Sequence, residues 1–120
     1  RVDDAIHATK AAVKEGIVPG GGIALLNAAQ KLNGKTEGEK IFIEAIKSPY
    51  KTILNNAGLD TDILTSKKGW GIDVVTGKPV SMIKAGIIDP VLVTKTALKN
   101  AVSVATTILS TDCVINNMRE

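Results

Sequence analysis

The most distinctive chemical feature of the sequence is a glycine run, Pro19-Gly20-Gly21-Gly22, between two segments with helical patterning. Residues without a Cβ atom let backbone N–H groups at a helix start approach a ligand closely, although ordering such residues costs conformational entropy. The other interpretation is a sharp turn between two helices, which is the more common use of a Pro-Gly-Gly connector. Taken alone, the run is therefore a weak indication of a ligand site.

Acidic residues at two predicted helix starts could also do chemistry. Asp3 and Asp4 fall in the first turn of the first predicted helix, where negative charge complements the helix dipole. Asp89 precedes Pro90, a pair typical of a helix start, with Asp89 as N-cap and Pro90 at the first helical position. A structural role and a role toward a ligand both stay open for these carboxylates.

Several kinds of site are excluded by the residues available. The phosphate-loop pattern Gly-x-x-x-x-Gly-Lys-Ser/Thr is absent, and the glycines follow a helical pattern rather than a strand. His7 is the only histidine and Cys113 the only cysteine. We therefore predict neither a metal site nor an internal disulfide, which fits a reducing, cytosol-like compartment.

The composition is that of one ordinary globular domain: 120 residues, 44% of them hydrophobic and 22% charged. Aromatic residues make up only 2%, too few for a base-stacking surface. The formal net charge of +3 comes from lysines spread along the chain, which favours solvated surface over a nucleic-acid interface. No apolar run approaches the roughly 18 residues of a membrane span, so we predict no membrane partner.

Hydrophobic periodicity predicts a mainly helical fold. Val2, Ile6, Thr9 and Val13 form one apolar face of the first helix. Four short helices are predicted, at residues 2–14, 23–32, 39–47 and 50–57. A long helix of about twenty residues is predicted from residue 90 onward and is expected to be the central helix of the core, its spine. Pro49 is expected to start the fourth helix.

The remaining segments have strand or turn character. Residues 70–81 predict a small β-hairpin around Thr76-Gly77, with Pro79 on an edge strand. A C-terminal strand without a nearby partner is predicted for residues 111–116, and a short helix for residues 61–66. The predicted fold class is thus mainly α, a helical bundle with one small hairpin and a C-terminal strand.

The first 22 residues, RVDDAIHATKAAVKEGIVPGGG, resemble almost residue for residue a signature segment of the group I chaperonins, the GroEL-type ring proteins. The segments NNAG at 55–58, GID at 71–73, MIKAGIIDP at 82–90 and VTKTAL at 93–98 reinforce the resemblance, which covers essentially the whole chain. It implies the end of an intermediate domain at residues 1–18 and the C-terminal half of an ATP-binding equatorial domain at residues 19–120.

The resemblance also implies roles for particular residues. Seven residues match positions that line the nucleotide in this family: Gly20, Gly21, Asp73, Val74, Val75, Ile87 and Asp89. The two glycines match the ribose and base side, Asp89 the acid that hydrogen-bonds the ribose, and Ile87 an apolar neighbour of the adenine. Residues 73–75 read Asp-Val-Val where many members have Asn-Ala-Ala, so the adenine contact is less specific than the ribose contact.

Asp4 matches the catalytic carboxylate that helps to activate the attacking water. Orienting a nucleophile suits phosphoryl transfer, which depends mainly on positioning. The complete chain is expected to be an ATPase that uses ATP and Mg²⁺, with the metal ligands and the family's Gly-Asp-Gly-Thr-Thr motif on sequence before Arg1. The 120 residues alone are expected to be inactive.

The expected partners follow from the same resemblance. They are copies of the subunit in a double heptameric ring, and a co-chaperonin and unfolded polypeptides bound by an apical domain outside this sequence. The expected location is the bacterial cytoplasm or an organellar matrix. Two alternatives stay open: a helical interaction module without catalysis, and a module that binds adenine nucleotide without hydrolysing it.

Overall fold

The computed structural model describes residues 1–61 and 67–119, with burial and side-chain contacts through residue 111. In chain order the elements are α1 (Val2–Glu15), β1 (Ile17–Pro19), α2 (Ile23–Lys31), α3 (Glu37–Ile46), α4 (Ser48–Asn56), β2 (Trp70–Asp73), β3 (Lys78–Ser81), β4 (Ile88–Pro90) and α5 (Val91–Arg119). The chain divides into two compact units, residues 17–89 and the first 16 residues with the segment that begins at Pro90. The domain boundary after residue 18 that the resemblance implies stays a prediction.

In the unit of residues 17–89, the ends of α3 and α4 follow directly from local sequence. Thr36 and Glu39 form a capping box: Glu39 N–H donates to Thr36 Oγ1 at 3.1 Å, and Thr36 N–H donates to Glu39 Oε2 at 3.2 Å. The helix therefore begins at Glu37, two residues before the predicted start. Pro49 lies in the first turn of α4, as predicted, and Gly58 follows its end with a φ of 73°.

The core of this unit is formed by α2, α4 and the hairpin. Six buried residues make up the cluster: Ile23, Leu26, Tyr50, Leu54, Ile72 and Met82. Strands β2 and β3 pair antiparallel with Trp70 opposite Ser81 and Asp73 opposite Lys78, which confirms the predicted hairpin. A Cβ atom on Gly71 would lie 2.6 Å from Ile23 Cδ1, so the absence of a side chain there lets the hairpin pack directly on α2.

A second strand pair, β1 with β4, was not predicted from the sequence. Gly20 N–H donates to the Ile87 carbonyl at 2.8 Å beyond one end, and Val91 N–H donates to the Gly16 carbonyl at 3.1 Å beyond the other. These two bonds make the pair antiparallel. The pair joins the segment before the glycine run to the segment before α5.

The other unit consists of α1 packed against α5. The buried residue of α1 is Ala11, so the predicted apolar face is not the covered one: Val2 is 74% exposed and Val13 is 84% exposed. Gly16 ends α1 with a φ of 92°, as predicted. An exposed ion pair between Lys95 and Glu15, at 3.7 Å, adds little to the pairing of the two helices.

Three predictions about the C-terminal segment are wrong. Residues 111–116 are helical, because α5 continues to Arg119; extending a formed helix by one residue is easier than starting a strand without a partner. The helix begins at Val91, so Pro90 precedes it and ends β4. Finally, α5 is not a core spine, since residues 99–111 are all exposed. Helix α5 is about 43 Å long and α1 about 21 Å, so α1 can cover only part of α5.

The short helix predicted for residues 61–66 lies, apart from Thr61, outside the described residues. In the described part of the chain, no helix combines the length and the apolar character needed to cross a membrane.

Candidate functional site

The glycine run forms the entrance to α2. Gly20 is buried, and its carbonyl accepts a hydrogen bond from Ile23 N–H at 3.3 Å. Gly21 and Gly22 have φ angles of 68° and 80°, in the left-handed region that favours glycine. Gly22 occupies the N-cap position without a side-chain cap, so the first turn of α2 is a positive helix end without a carboxylate on it.

Each glycine of the run has a reason for its identity within the fold. A Cβ atom on Gly20 would lie 3.2 Å from the backbone of Ile87, and one on Gly21 would lie 2.8 Å from Met82 Cε. On Gly22 the Cβ atom would lie 2.6 Å from Tyr50 N, a contact with backbone that cannot be relieved by a side-chain rotation. Close packing therefore explains the run without a ligand, and only the residues beside it can indicate a ligand site.

Those neighbours are residues 87–89, which the Gly20 hydrogen bond holds beside the run. Ile87 is half-buried and packs against the core cluster. Asp89 lies in β4 with an exposed side chain that forms no hydrogen bond or ion pair with any described residue. The carboxylate is therefore not used to cap α5, and its oxygens are available to hydroxyl or amine donors.

The hairpin tip carries the three remaining candidates of this unit. Asp73 is half-buried, and its Oδ1 accepts a hydrogen bond from Val75 N–H at 3.0 Å, which closes an Asx turn. Asparagine makes the same turn, so aspartate at this position keeps the local geometry of the pattern that the resemblance implies. Val74 is 44% exposed and Val75 is 90% exposed. These two valines lie in the turn after β2, beyond the strand residue Gly71 that packs on Ile23 of α2.

Asp4 belongs to the other unit. It lies in the first turn of α1 with Asp3, where both charges complement the helix dipole. Its side chain is exposed, and no described residue pairs with it. The structure thus brings Gly20, Gly21, Ile87 and Asp89 together within one unit and presents Asp4 as an accessible carboxylate on the other.

Sequence reasoning missed two residues that hold the site together. Met82 is buried; its backbone bonds Gly69 and Ile87, and its side chain lies under Gly21. Asn27, a buried polar residue of α2, accepts a hydrogen bond from Gly69 N–H at 2.9 Å. The only signal for the contact between Asn27 and Gly69 was the position of Asn27 in the sequence, at the helical spacing of the core residues of α2, where a polar side chain needs a hydrogen-bond partner.

Other parts of the described chain offer less to a ligand. A groove of about 350 Å³ between the end of α2 and α3 is lined mainly by apolar side chains, and the carboxylate of its Glu39 already accepts hydrogen bonds from the capping box. Within the described residues, no group of three or more His, Cys, Asp and Glu side chains is arranged to hold a metal ion.

Comparison with known proteins gives the site its context. The sequence matches the TCP-1/cpn60 chaperonin family over residues 1–119. Among solved structures, a group III chaperonin in the open state is similar in fold, with a TM-score of 0.72 and 30% sequence identity. The match covers 83% of this chain and 24% of that chain, so the present chain spans about a quarter of that protein's length. The chain belongs to the TCP-1/cpn60 chaperonin family.

Proposed function

We propose that this chain supplies the ribose and adenine side of an ATP site in a chaperonin subunit that encloses unfolded polypeptides and assists their folding. The observation that carries the proposal is the free carboxylate of Asp89, held beside the glycine run by the hydrogen bond from Gly20 to Ile87. A carboxylate accepts hydrogen bonds from the vicinal hydroxyl groups of a ribose. Ile87 provides an apolar neighbour for a base.

The residues present fit one half of a nucleotide site. They offer a carboxylate that can accept hydrogen bonds from hydroxyl groups, an apolar side chain and an uncapped helix N-terminus. The sequence contains neither of the standard glycine-rich phosphate-binding patterns. We assign the phosphate and Mg²⁺ ligands to sequence before Arg1. ATP would supply the phosphoryl group, and Asp4 would orient the attacking water when its helix approaches the site.

Residues 73–75 are weaker members of the site. Asp73 already uses a carboxylate oxygen in its turn, and the exposed valines offer apolar surface to a base without a hydrogen bond. Four further proposals rest on the resemblance of residues 1–22. They are the assignment to group I, the double heptameric ring, the co-chaperonin as a partner, and the cytoplasmic or organellar location.

The test is a thermodynamic cycle with the full-length protein. One change replaces Asp89, and the other removes the ribose hydroxyl groups from ATP. Asp89→Asn should weaken ATP affinity about tenfold, the loss of one charge-assisted hydrogen bond. The variant should then bind 2′,3′-dideoxy-ATP no more weakly than the unchanged protein does, because the hydroxyl groups and the carboxylate are removed as one pair. Calorimetric titration gives all four affinities. Additive losses would exclude contact between Asp89 and the ribose.

Asp4→Ala should separate binding from turnover. ATP affinity and ring assembly should be retained, while the hydrolysis rate should fall about a hundredfold or more, as expected for a group that positions the nucleophile. Asp3→Ala is the matched control, because it removes an equal charge one position away and should leave hydrolysis unchanged. Equal rates for the two variants would remove Asp4 from the mechanism.

A second candidate, an interaction module without catalysis, is favoured by the uncovered side chains of α5. Val104, Ile108 and Leu109 are between 59% and 70% exposed, an apolar surface suited to contacts with another chain. The two candidates differ in the complete reading frame: an interaction module would assemble without hydrolysing ATP. For the 120-residue chain alone, ATP hydrolysis above background would contradict the half-site proposal.

A further inference from the structure

Three lysines form a basic patch at the end of α2 that lies opposite the glycine run. Lys31 is in the last turn of α2, and Lys67 and Lys68 precede β2; all three are exposed. The length of α2 separates Lys31 from the glycine run by about 13 Å. The patch is therefore distinct from the proposed nucleotide half-site, and none of the roles assigned above uses it.

A partly buried hydrogen bond fixes the backbone of the patch. Asn27 is only 9% exposed, and its Oδ1 accepts from Gly69 N–H at 2.9 Å. Asn27 lies one helical turn before Lys31, on the same side of α2, so this bond places Lys68 next to Lys31. Lys67 is held nearby, with its Nζ 4.9 Å from the centre of the Trp70 ring.

The fold thereby keeps like charges together. The neighbouring ammonium group of Lys68 lowers the pKa of Lys31 below its ordinary value. In the described ranges, 1–61 and 67–119, none of the three lysines has a carboxylate within ion-pair distance. Solvent screens such an exposed pair, but no described side chain relieves the repulsion.

We propose that Lys31, Lys67 and Lys68 bind a phosphate group, either free or carried by a larger molecule. A phosphate monoester or inorganic phosphate brings nearly two negative charges and several acceptor oxygens, enough to meet two neighbouring ammonium groups at once. A carboxylate brings one charge. The hydrogen bond from Gly69 to Asn27 fixes the backbone that follows Lys68, so anion binding has to order the lysine side chains but not this backbone.

The experiment is an NMR titration of the 120-residue chain with sodium phosphate, at ionic strength matched with sodium chloride. Saturable shifts of the Lys31, Lys68 and Gly69 amide signals are expected. Lys68→Gln should weaken phosphate binding about tenfold, the loss of one charge-assisted contact. Lys84→Gln is the control, because Lys84 is an exposed lysine of the same unit and the substitution removes the same charge. A parallel titration with a phosphoserine peptide distinguishes a partner chain from free phosphate as the source.

Two outcomes would overturn the proposal. The first is shifts that sodium chloride reproduces at the same ionic strength. The second is an equal loss for Lys84→Gln and Lys68→Gln, which would show a general charge effect. Failure of the nucleotide half-site does not decide this test, because Lys31 lies about 13 Å from the glycine run.

Discussion

Single glycines of the run are constrained by more than backbone conformation, and two matched substitutions can separate the causes. Gly22 and Gly86 have similar φ angles, 80° and 77°, but a Cβ atom meets the Tyr50 backbone at Gly22 and nothing within 4 Å at Gly86. Gly86→Ala should cost about 1 kcal/mol for the left-handed conformation. Gly22→Ala should cost about 3 kcal/mol, because steric conflict is added to the same strain.

Urea unfolding of both variants measures this difference. If the two losses of unfolding free energy are equal, the approach of Gly22 to Tyr50 does not restrict the loop, and the conformation alone explains the glycine.

Tyr50 is a second residue whose environment is measurable. It is 1% exposed, and burial raises its pKa above the ordinary value of 10.0. The unfolded chain ionises this phenol near pH 10 while the folded chain keeps it neutral, so the free energy of unfolding should fall as the pH rises above about 10. Below that pH the contribution is fully present.

Because Tyr50 is the only tyrosine, tyrosinate absorbance reports on it without interference from another phenol. The titration midpoint of the folded chain should lie above that of the chain in concentrated urea. Coinciding midpoints would show that the folded chain leaves the phenol in contact with water. Tyr50→Phe, which has no phenol, gives the background absorbance.

At the scale of elements, α3 depends on its capping box. Thr36→Ala removes the acceptor for Glu39 N–H and should lower the free energy of unfolding by about 1 kcal/mol. Thr36→Ser keeps a hydroxyl and should stay near the unchanged chain. Thermal unfolding followed by circular dichroism compares the three proteins. A loss of equal size for serine and alanine would assign the effect to the lost methyl group.

The elements also show where sequence patterns suffice. Periodicity predicted the helices α1 to α4, although not the covered face of α1, and the Thr76-Gly77 turn predicted the hairpin. Strands β1 and β4 have three residues each and pair across a long stretch of chain, so neither leaves a recognisable pattern. At residues 111–116, β-branched composition suggested a strand, but continuation of α5 prevailed over local preference.

The candidate site was less accessible from patterns. Gly20 and Asp89 are far apart in the sequence, and no spacing rule joins them; only the resemblance placed them together. The structure brings their segments together through the bond from Gly20 to Ile87. Patterns also assigned Asp89 to a cap, whereas its carboxylate is free of described partners. A cap assignment from sequence depends on where the helix starts, and α5 starts one residue later than predicted.

For the whole molecule, the uncovered part of α5 should govern behaviour in solution. The exposed apolar side chains Val104, Ile108 and Leu109 favour self-association of the 120-residue chain at high concentration. Replacing all three with glutamine should shift sedimentation toward the monomer and leave the urea midpoint nearly unchanged, because these side chains bury little surface. Val75→Gln, on the hairpin tip, is the control. Sedimentation that the triple variant leaves unaltered would exclude this surface.

The internal packing of the glycine run has a consequence for reading related sequences. A descendant of this chain that had lost its nucleotide would still need Gly22, because the Tyr50 backbone leaves no room for a side chain. It would still favour glycine at Gly21, where φ is 68°, and at Gly20, where a Cβ atom would lie 3.2 Å from the Ile87 backbone. The run therefore records ancestry of the fold. Asp89, exposed and without a described partner, is free to drift once its ligand is gone. Its retention or loss is the better indicator of whether such a relative still binds a ribose.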